Sequence, residues 1–418
     1  MAHSIARKLS RFKPGVLYMG VDLGLELNVA KVVDERGKVL GTIRFAHTHE
    51  GYSYLAERIG FYTRREGAPG MVVAMEPTNY FWMLLAAELE RRHIDYYLVN
   101  AYTVRKHREG DQIDRSKDDP RDAFFIADLL RTGKYTETRL LHGLYAELRQ
   151  YVTLHDRLQR DIGRQKSLLH NGVGQVFPEL VWVFKGLTGE TALAMLRSHA
   201  VAATVRKMSQ AEFIDAVRVD FRGRRLMISK LCQAHELAAN SVGLVDGSEA
   251  LQLAVRLHIE RLLVLESQAA CVRQALARTF RALPEAQYLL SLHGLGLMTS
   301  ATILAEIGDP NHFSNGRQLI KLAGTQPAPN TSGRKTHSAT PMSHQGRPRL
   351  RTILYLACLR LIQVNDDFAQ DYRRLQERAK NPLTKMQALG VLMNKLLRVL
   401  WALMRQRICY DPAIALAA

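Results

Sequence analysis

Asp22, Glu76, Asp119 and Asp122 are the residues whose types and positions point to chemistry. Asp22 closes the apolar run VLYMGVD, and Glu76 closes the run MVVAME just before Pro77. Asp119 and Asp122 stand three apart at the opening of a helix that Pro120 starts, so both project from one helical face. Four carboxylates crowded together repel one another unless a cation neutralises them. Oxygen-only ligands suit Mg²⁺ or Mn²⁺. Such ions activate a nucleophile and stabilise a leaving oxygen in phosphoryl transfer. Each acid also has a plain structural role open to it. Asp22 can simply end a strand ahead of Gly24, and acids in a first helical turn complement the helix dipole. Asp118 lies beside Asp119, so the register of the helix decides which of them faces the others; the i, i+3 match with Asp122 favours Asp119. Asp111 and Asp114 are weaker competitors.

The elements that must position these acids form an α/β pattern. VLYMGVDLG, NVAKVVD and KVLGTIRFA are three β-rich runs, the last two joined by a turn at Arg36-Gly37. A helix is expected from about Tyr52 to Arg65, a strand over Met71–Glu76, a helix over FWMLLAAELERR, and a strand over Asp95–Asn100. A basic loop, Val104–Asp118, carries Arg105, Lys106, His107, Arg108 and Arg115 and leads into the helix at Asp119. In this β-β-β-α-β-α-β-α order, adjacent strand ends and a flanking helix can converge on one point.

The 418 residues are enough for two or three domains, and 47% of them are hydrophobic, as in an ordinary globular chain. Lys and Arg number 58 against 40 Asp and Glu, a net charge of +18 that suits a polyanion, nucleic acid being the commonest. Cys232, Cys271, Cys358 and Cys409 are far apart and form no C-x-x-C pair, which points away from a zinc site or disulfide framework and fits a reducing cytoplasm. The basic N-terminal stretch is followed by no long apolar core, and no apolar run is long enough to span a membrane.

From Leu144 the pattern becomes heptad-like, through Leu148, Tyr151, Leu158, Ile162 and Leu169. A second such run holds Leu251, Val255, Leu262, Leu265, Ala269, Val272, Leu276 and Leu283. These runs read as an antiparallel pair, as a coiled-coil contact between subunits, or as parts of an ordinary helical bundle. Residues 171–245 between them read as mixed and helical, without a functional assignment. SLHGLGLMTSATILAEIGD reads as a helix-turn-helix unit. Residues 324–348, rich in Gly, Pro, Ser, Thr and Arg, read as a loop, and helices follow near Leu350–Gln363 and Leu383–Arg405.

The motif VDLG, then MEP, then K-D-D-P-R-D-A (Lys117–Ala123) resembles the first domain of the DEDD transposases of the insertion sequence 110 family, which has a RuvC-like, ribonuclease-H-type fold. That family's last element reads K-T-D-x-x-D-A; here Asp118 replaces the threonine. HGLGLMTSATILAEIGD is similar to the helix-hairpin-helix-like segment of the family's C-terminal domain, whose Gly-rich turn lets backbone N–H groups approach a phosphate; Gly294 and Gly296 are the glycines concerned, though alone they read as turn residues. AGTQPAPNTSGRKTHSATPMSHQGRPRLR resembles the family motif A-G-x-x-P-x-x-x-x-S-G with its basic continuation. On that match Ser332 aligns with the nucleophilic serine of the family, beside Gly333, Arg334 and Lys335; Thr331, Ser338 and Ser343 are competing hydroxyls. Arg347, Arg349 and Arg351 read as a phosphate-contacting cluster or as a solvated basic face.

The resemblance implies a RuvC-like catalytic domain over residues 1–140, a helical, coiled-coil assembly region over 141–287 and a helical transposase domain over 288–418. It implies a DNA transposase or site-specific recombinase that cuts and rejoins DNA through a phosphoserine link, with Mg²⁺ (or Mn²⁺) held by Asp22, Glu76, Asp119 and Asp122. Its partners would be the DNA of element ends and target and an element-encoded guide RNA, met in part by the basic loop, and the chain would act as a homodimer or homotetramer. A RuvC-like nuclease without serine chemistry, and a non-catalytic basic nucleic-acid-binding protein, are the alternatives.

Overall fold

The computed structural model describes residues 2–77, 79–111, 119–136, 140–328, 331–332, 335–336 and 341–412. The chain separates into two compact units, residues 1–141 and 142–418.

In the first unit, helix α1 (Ala2–Leu9) precedes the strands β1 (Leu17–Asp22), β2 (Leu27–Val33) and β3 (Val39–Ala46). Helix α2 (His49–Arg65), β4 (Met71–Met75), α3 (Phe81–Arg91), β5 (Tyr96–Leu98), α4 (Ala101–Asp111) and α5 (Asp119–Arg131) follow. The five strands make one sheet in the order β3-β2-β1-β4-β5. β2 runs antiparallel to both β1 and β3, whereas β4 runs parallel to β1 and β5. This mixed sheet is compatible with a ribonuclease-H-like α/β domain. The part expected as a basic loop is helical in its described portion, α4; residues 112–118 lie outside the described residues. Ala, Lys, Arg and Glu are good helix formers, and the polarity that marked the segment as a loop is that of an exposed helix.

Strand alternation gives the sheet two packed faces. Leu17, Met19 and Val21 point with Met71, Val73 and Met75 into one core, which α2 and α3 cover. Tyr18, Val72 and Ala74 point into the other, which α4 and α5 cover through Val104, Phe125, Ile126 and Leu130. Both faces being buried explains why β1 and β4 read as unbroken apolar runs rather than alternating ones.

The second unit is helical. It contains α6 (Gly143–Val176), α7 (Leu180–Val183), α8 (Glu190–His199), α9 (Ala202–Val205), α10 (Gln210–Asp220), α11 (Ile228–Ala238) and α12 (Ser248–Ala282). After these come α13 (Ala286–Leu290), α14 (Leu297–Ile307), α15 (Gly316–Ala323), β6 (Thr331–Ser332), β7 (Lys335–Thr336), α16 (Pro348–Val364), α17 (Asp366–Glu377) and α18 (Lys385–Gln406). α6 and α12 pack antiparallel within the chain: Gly172 lies against Val255, and Gln165 bonds His258 at 2.9 Å. Their heptad-spaced residues form the seam, with Leu158, Ile162 and Leu169 facing Val255, Leu262 and Ala269. One end of the pair joins α7–α11 in one core. The other end, through Leu148, Leu276 and Phe280, joins α14–α18 in a second. Among the described helices, α18 alone is long and apolar enough to cross a membrane, but half of it is buried in the packing of this unit.

Where a loop was expected, the described parts of residues 324–346 pair across a hairpin-like arm. His344 N–H donates to Gly324 O (3.1 Å), Ser343 N–H to Gln326 O (2.9 Å) and Ala328 N–H to Pro341 O (2.8 Å). Further out β6 pairs antiparallel with β7, with Ser332 opposite Lys335.

Candidate functional site

Asp22 is the last residue of β1, and Glu76 directly follows β4. β1 and β4 are adjacent and parallel with Val21 opposite Met75, so the two acids are next in line at the same sheet end. The alternation that sends Tyr18, Val72 and Ala74 toward α5 assigns Asp22 and Glu76 to that face as well.

α5 brings the remaining acids to the same end. It lies directly on Gly20, where an added Cβ would come within 2.2 Å of Ala123 O and 2.3 Å of Ala127 N. At the far end of α5, Arg131 bonds Glu35 O (3.2 Å) in the β2–β3 turn and covers Gly37. The helix therefore runs antiparallel to β1, and its N-terminus, carrying Asp119 and Asp122, points toward the Asp22 end. Asp122 is only 8% exposed. The side chain of Asp119 and all of Asp118 lie outside the described residues.

These donors are all oxygens, the set that suits Mg²⁺ or Mn²⁺. Among the described residues, no three His, Cys, Asp or Glu side chains stand together closely enough to hold a metal, a set that leaves out the Asp119 carboxylate. The chemistry of these donors suits a divalent ion, but the described carboxylates of Asp22, Glu76 and Asp122 do not by themselves form a metal-holding group.

Sequence reading missed two features that tie the elements of this unit together. His47, just past β3, bonds Gly24 O at 3.1 Å and Tyr52 Oη at 2.9 Å and stacks on Phe81 with ring centres 4.1 Å apart. It thus links the turn after Asp22 to the start of the helix after Glu76. Asp128 of α5 bonds His107 of α4 at 2.9 Å and also pairs with Arg131. Burial acts to raise the Asp128 carboxyl, but the hydrogen bonds from Arg131 and His107 outweigh it and hold the group below its usual range. Of the basic segment, Arg105 and Lys106 are exposed and share Glu109, at 2.7 and 3.7 Å. The side chain of Arg108 and all of Arg115 lie outside the described residues.

In the second unit, Ser332 ends β6. Its side chain, that of Lys335, and Arg334 lie outside the described residues. The base of the arm is well defined. Gly324 has φ +69°, and Gly346 lies so close that a Cβ on it would come within 2.3 Å of Gly324 N. Only glycines permit that approach, which accounts for Gly324 and Gly346. Thr325 and Asn394 of α18 bond reciprocally, at 2.6 Å and 3.2 Å.

Arg347, Arg349 and Arg351 have partners inside the protein. Arg351 donates to Ala323 O (2.9 Å), and Arg349 pairs with Asp156 (2.8 Å) and Glu306 (3.3 Å). Arg347 donates to the backbone carbonyl of Glu306. Burial pushes the Arg347 guanidinium down to about 10, Arg149 pushes the same way and Glu306 opposes them. Gly294 and Gly296 join α13 to α14. Gly294, at φ +103°, packs against Leu361 and Val364 of α16, whereas Gly296 caps α14 with open space around it.

The first unit carries Asp22 and Glu76 at one sheet end, and the second pairs β6 with β7 at Ser332. Two family models match the chain: one described as a transposase of the DEDD type in IS110 elements matches residues 19–178, and one described as the transposase IS116/IS110/IS902 family matches residues 286–373. The chain belongs to this IS110/IS116 transposase family, enzymes that act on DNA. It is 25% identical to a protein of the IS117 mini-circle of Streptomyces coelicolor, over 86% of this chain and 88% of that one. It is also 25% identical to a protein of insertion element IS116 of Streptomyces clavuligerus, over 95% of this chain and 96% of that one. A pilin gene-inverting protein of Moraxella bovis is 28% identical over 31% of this chain and 39% of its own length.

Proposed function

We propose that this transposase cuts and rejoins DNA by serine chemistry at the arm, assisted by a divalent ion at the acidic sheet end. The observation that carries the reading is the convergence of Asp22, Glu76 and the N-terminus of α5 on one end of the sheet, made possible by Gly20. Asp22, Glu76, Asp119 and Asp122 would hold Mg²⁺ or Mn²⁺, and the ion would supply charge neutralisation at the phosphate. The chain's own residues do the rest. The Ser332 hydroxyl loses its proton and attacks phosphorus, and the bond from phosphorus to the leaving sugar oxygen breaks. That oxygen takes up a proton, leaving a phosphoserine diester. Attack by another strand's sugar hydroxyl reverses the step and frees the serine, so no ATP is needed. Arg334 and Lys335 lie next to Ser332 in sequence, where cations stabilise the charge that builds on phosphate oxygens.

A guide RNA from the element, met by the exposed Arg105 and Lys106, and assembly of two or four copies complete the reading. The net charge of +18 supports the first. Leu253, Leu257 and Val264, exposed on α12 at heptad-like steps, support the second. A relative named for inverting a pilin gene fits an enzyme that rejoins what it cuts.

The test is recombination in cells between element ends and target, with wild type, Ser332→Ala and Glu76→Ala at matched expression. Loss in both variants, with a covalent protein–DNA adduct trapped only when Ser332 is present, is the expected result. Recombination by Ser332→Ala would instead favour a nuclease that uses water.

A further inference from the structure

Glu306, near the C-terminus of α14, is 3% exposed, yet three arginines from separate places reach it. Arg149 of α6 lies at 3.2 Å, Arg349 of α16 at 3.3 Å and Arg347 at 3.8 Å from its carboxylate. Arg347 also donates to the Glu306 backbone carbonyl, one of those that a helix end leaves without an intrahelical partner. Even with Asp156 on Arg349, three cations meet two carboxylates here. The cluster is thus held at the cost of crowding like charges, and Glu306 is the one group common to all three.

The place of Arg347 in the chain gives the cluster its meaning. Arg347 directly follows the returning strand of the arm, and its backbone N–H donates to Leu322 O at 2.7 Å, just ahead of the outgoing strand. Arg351 ties the same place through Ala323 O. The two ends of the arm are therefore locked to each other through Arg347 and Arg351, and to α14 through Arg347 and Glu306. On its other side the arm is fixed to α18, by Thr325 on Asn394 and by Met342, whose Cε lies 2.5 Å from where a Cβ on Gly390 would be.

We infer that Glu306 is a positioning residue for the Ser332 arm: by holding Arg347 and Arg349 at the foot of the arm it fixes the direction in which the arm leaves the helical unit. This rests on the reading of Ser332 as the nucleophile. It assigns Arg347 and Arg349 to aiming the arm rather than to gripping phosphate. Glu306 touches neither DNA nor the reacting atoms in this role.

The test measures hydrogen exchange of the full-length protein by mass spectrometry, with recombination in cells beside it. In Glu306→Gln, the amides of Ala328, Ser343, His344 and Arg347 should exchange at least about tenfold faster, with those of α12 unchanged. Recombination should fall by roughly 100-fold, the scale of loss for a reacting group displaced by about 1 Å. Arg347→Lys keeps the charge but not the paired contacts. It should loosen the same amides, and it decides the matter if Glu306→Gln fails to fold. Unchanged exchange at the foot of the arm, or equal loosening of arm and α12, would overturn the inference. Because the exchange result does not depend on chemistry, an active Ser332→Ala beside a loosened arm would sink the serine reading and leave Glu306 as the residue that holds the arm.

Discussion

Gly20→Ala tests the geometry of the acidic sheet end without touching an acid. The added methyl would sit 2.2 Å from Ala123 O, 2.3 Å from Ala127 N and 2.9 Å from Ile126 C, all of them backbone atoms of α5, where ordinary contact begins near 3.4 Å. No rotamer change relieves a clash with backbone, so α5 has to move off β1 by about 1 Å at this point. Overpacking of this kind costs about 1–3 kcal/mol, or very roughly 2–12 °C in the melting temperature of a domain this size. The larger effect falls on function, because Asp122 and Asp119 ride on the displaced helix. A shift of about 1 Å in a positioned catalytic group costs on the order of 100-fold in rate. The assay pairs thermal unfolding of the purified protein with recombination in cells well below the melting temperature. Gly174→Ala, at a helical glycine with open space around it, is the control, and it should be neutral or slightly stabilising. If Gly20→Ala recombines at the wild-type level while folded, the close seat of α5 on β1 is not what sets the acids, and the convergence argument fails.

Three further outcomes follow from the structure. Mg²⁺ or Mn²⁺ should raise the melting temperature of the wild-type protein but not that of Asp122→Asn, since a ligand that binds only the folded state stabilises it; an equal rise in the variant would remove Asp122 from the ligand set. Arg105→Ala combined with Lys106→Ala should weaken nucleic-acid binding for all sequences alike and lower the slope of log affinity against log salt by about 1 per lost phosphate contact; an unchanged slope would take α4 out of the interface. Burial holds His155, His199 and His258 below the ordinary histidine range. The unfolded chain then takes up these protons first, near pH 6.5, so the stability of the helical unit is complete above that pH and is lost as the pH falls below it. The urea midpoint should be lower at pH 5.5 than at pH 7.5, and His199→Gln should narrow the gap, because buried His199 Nδ1 has no hydrogen-bond partner to offset its desolvation.

The strands and both long helices were legible because each carries a strong apolar pattern. β1 and β4 are apolar runs bounded by an acid, and α6 and α12 repeat their seam residues at heptad steps. The acids were legible for the related reason that a charge at the end of an apolar strand stands out. What the sequence concealed lies in relations between distant residues. Nothing local marks Gly20 as the seat of α5, since its neighbour there is 103 residues on. Arg347, Arg349 and Arg351 read as a basic patch, and nothing local shows that Glu306, Asp156 and Ala323 lie beside them. His47 reads as an ordinary polar residue past a strand, yet it joins the turns that follow Asp22 and Glu76. The arm read as a loop because its pairing is carried by only a few hydrogen bonds between residues rich in turn chemistry.

The two units hold the residues proposed to react by different physical means. In the first, a rigid sheet and one glycine let a helix approach closely enough to bring its first turn to the strand ends, and the acids inherit the stiffness of regular structure. In the second, the described backbone of Ser332 lies in β6, and Arg347 and Arg351 hold the foot of the arm through Leu322 O and Ala323 O. Buried charge suits that task. Removing one partner of a buried ion cluster leaves the others uncompensated and costs about 3–5 kcal/mol, far more than a surface pair, so the cluster tolerates few alternative arrangements. The same argument predicts where substitutions will be tolerated. Changes on the exposed face of α12 should leave recombination at fixed subunit assembly intact, whereas conservative changes at Gly20, Gly324, Gly346 or Glu306, none of which contacts DNA in this reading, should cost as much as changes to the reacting groups.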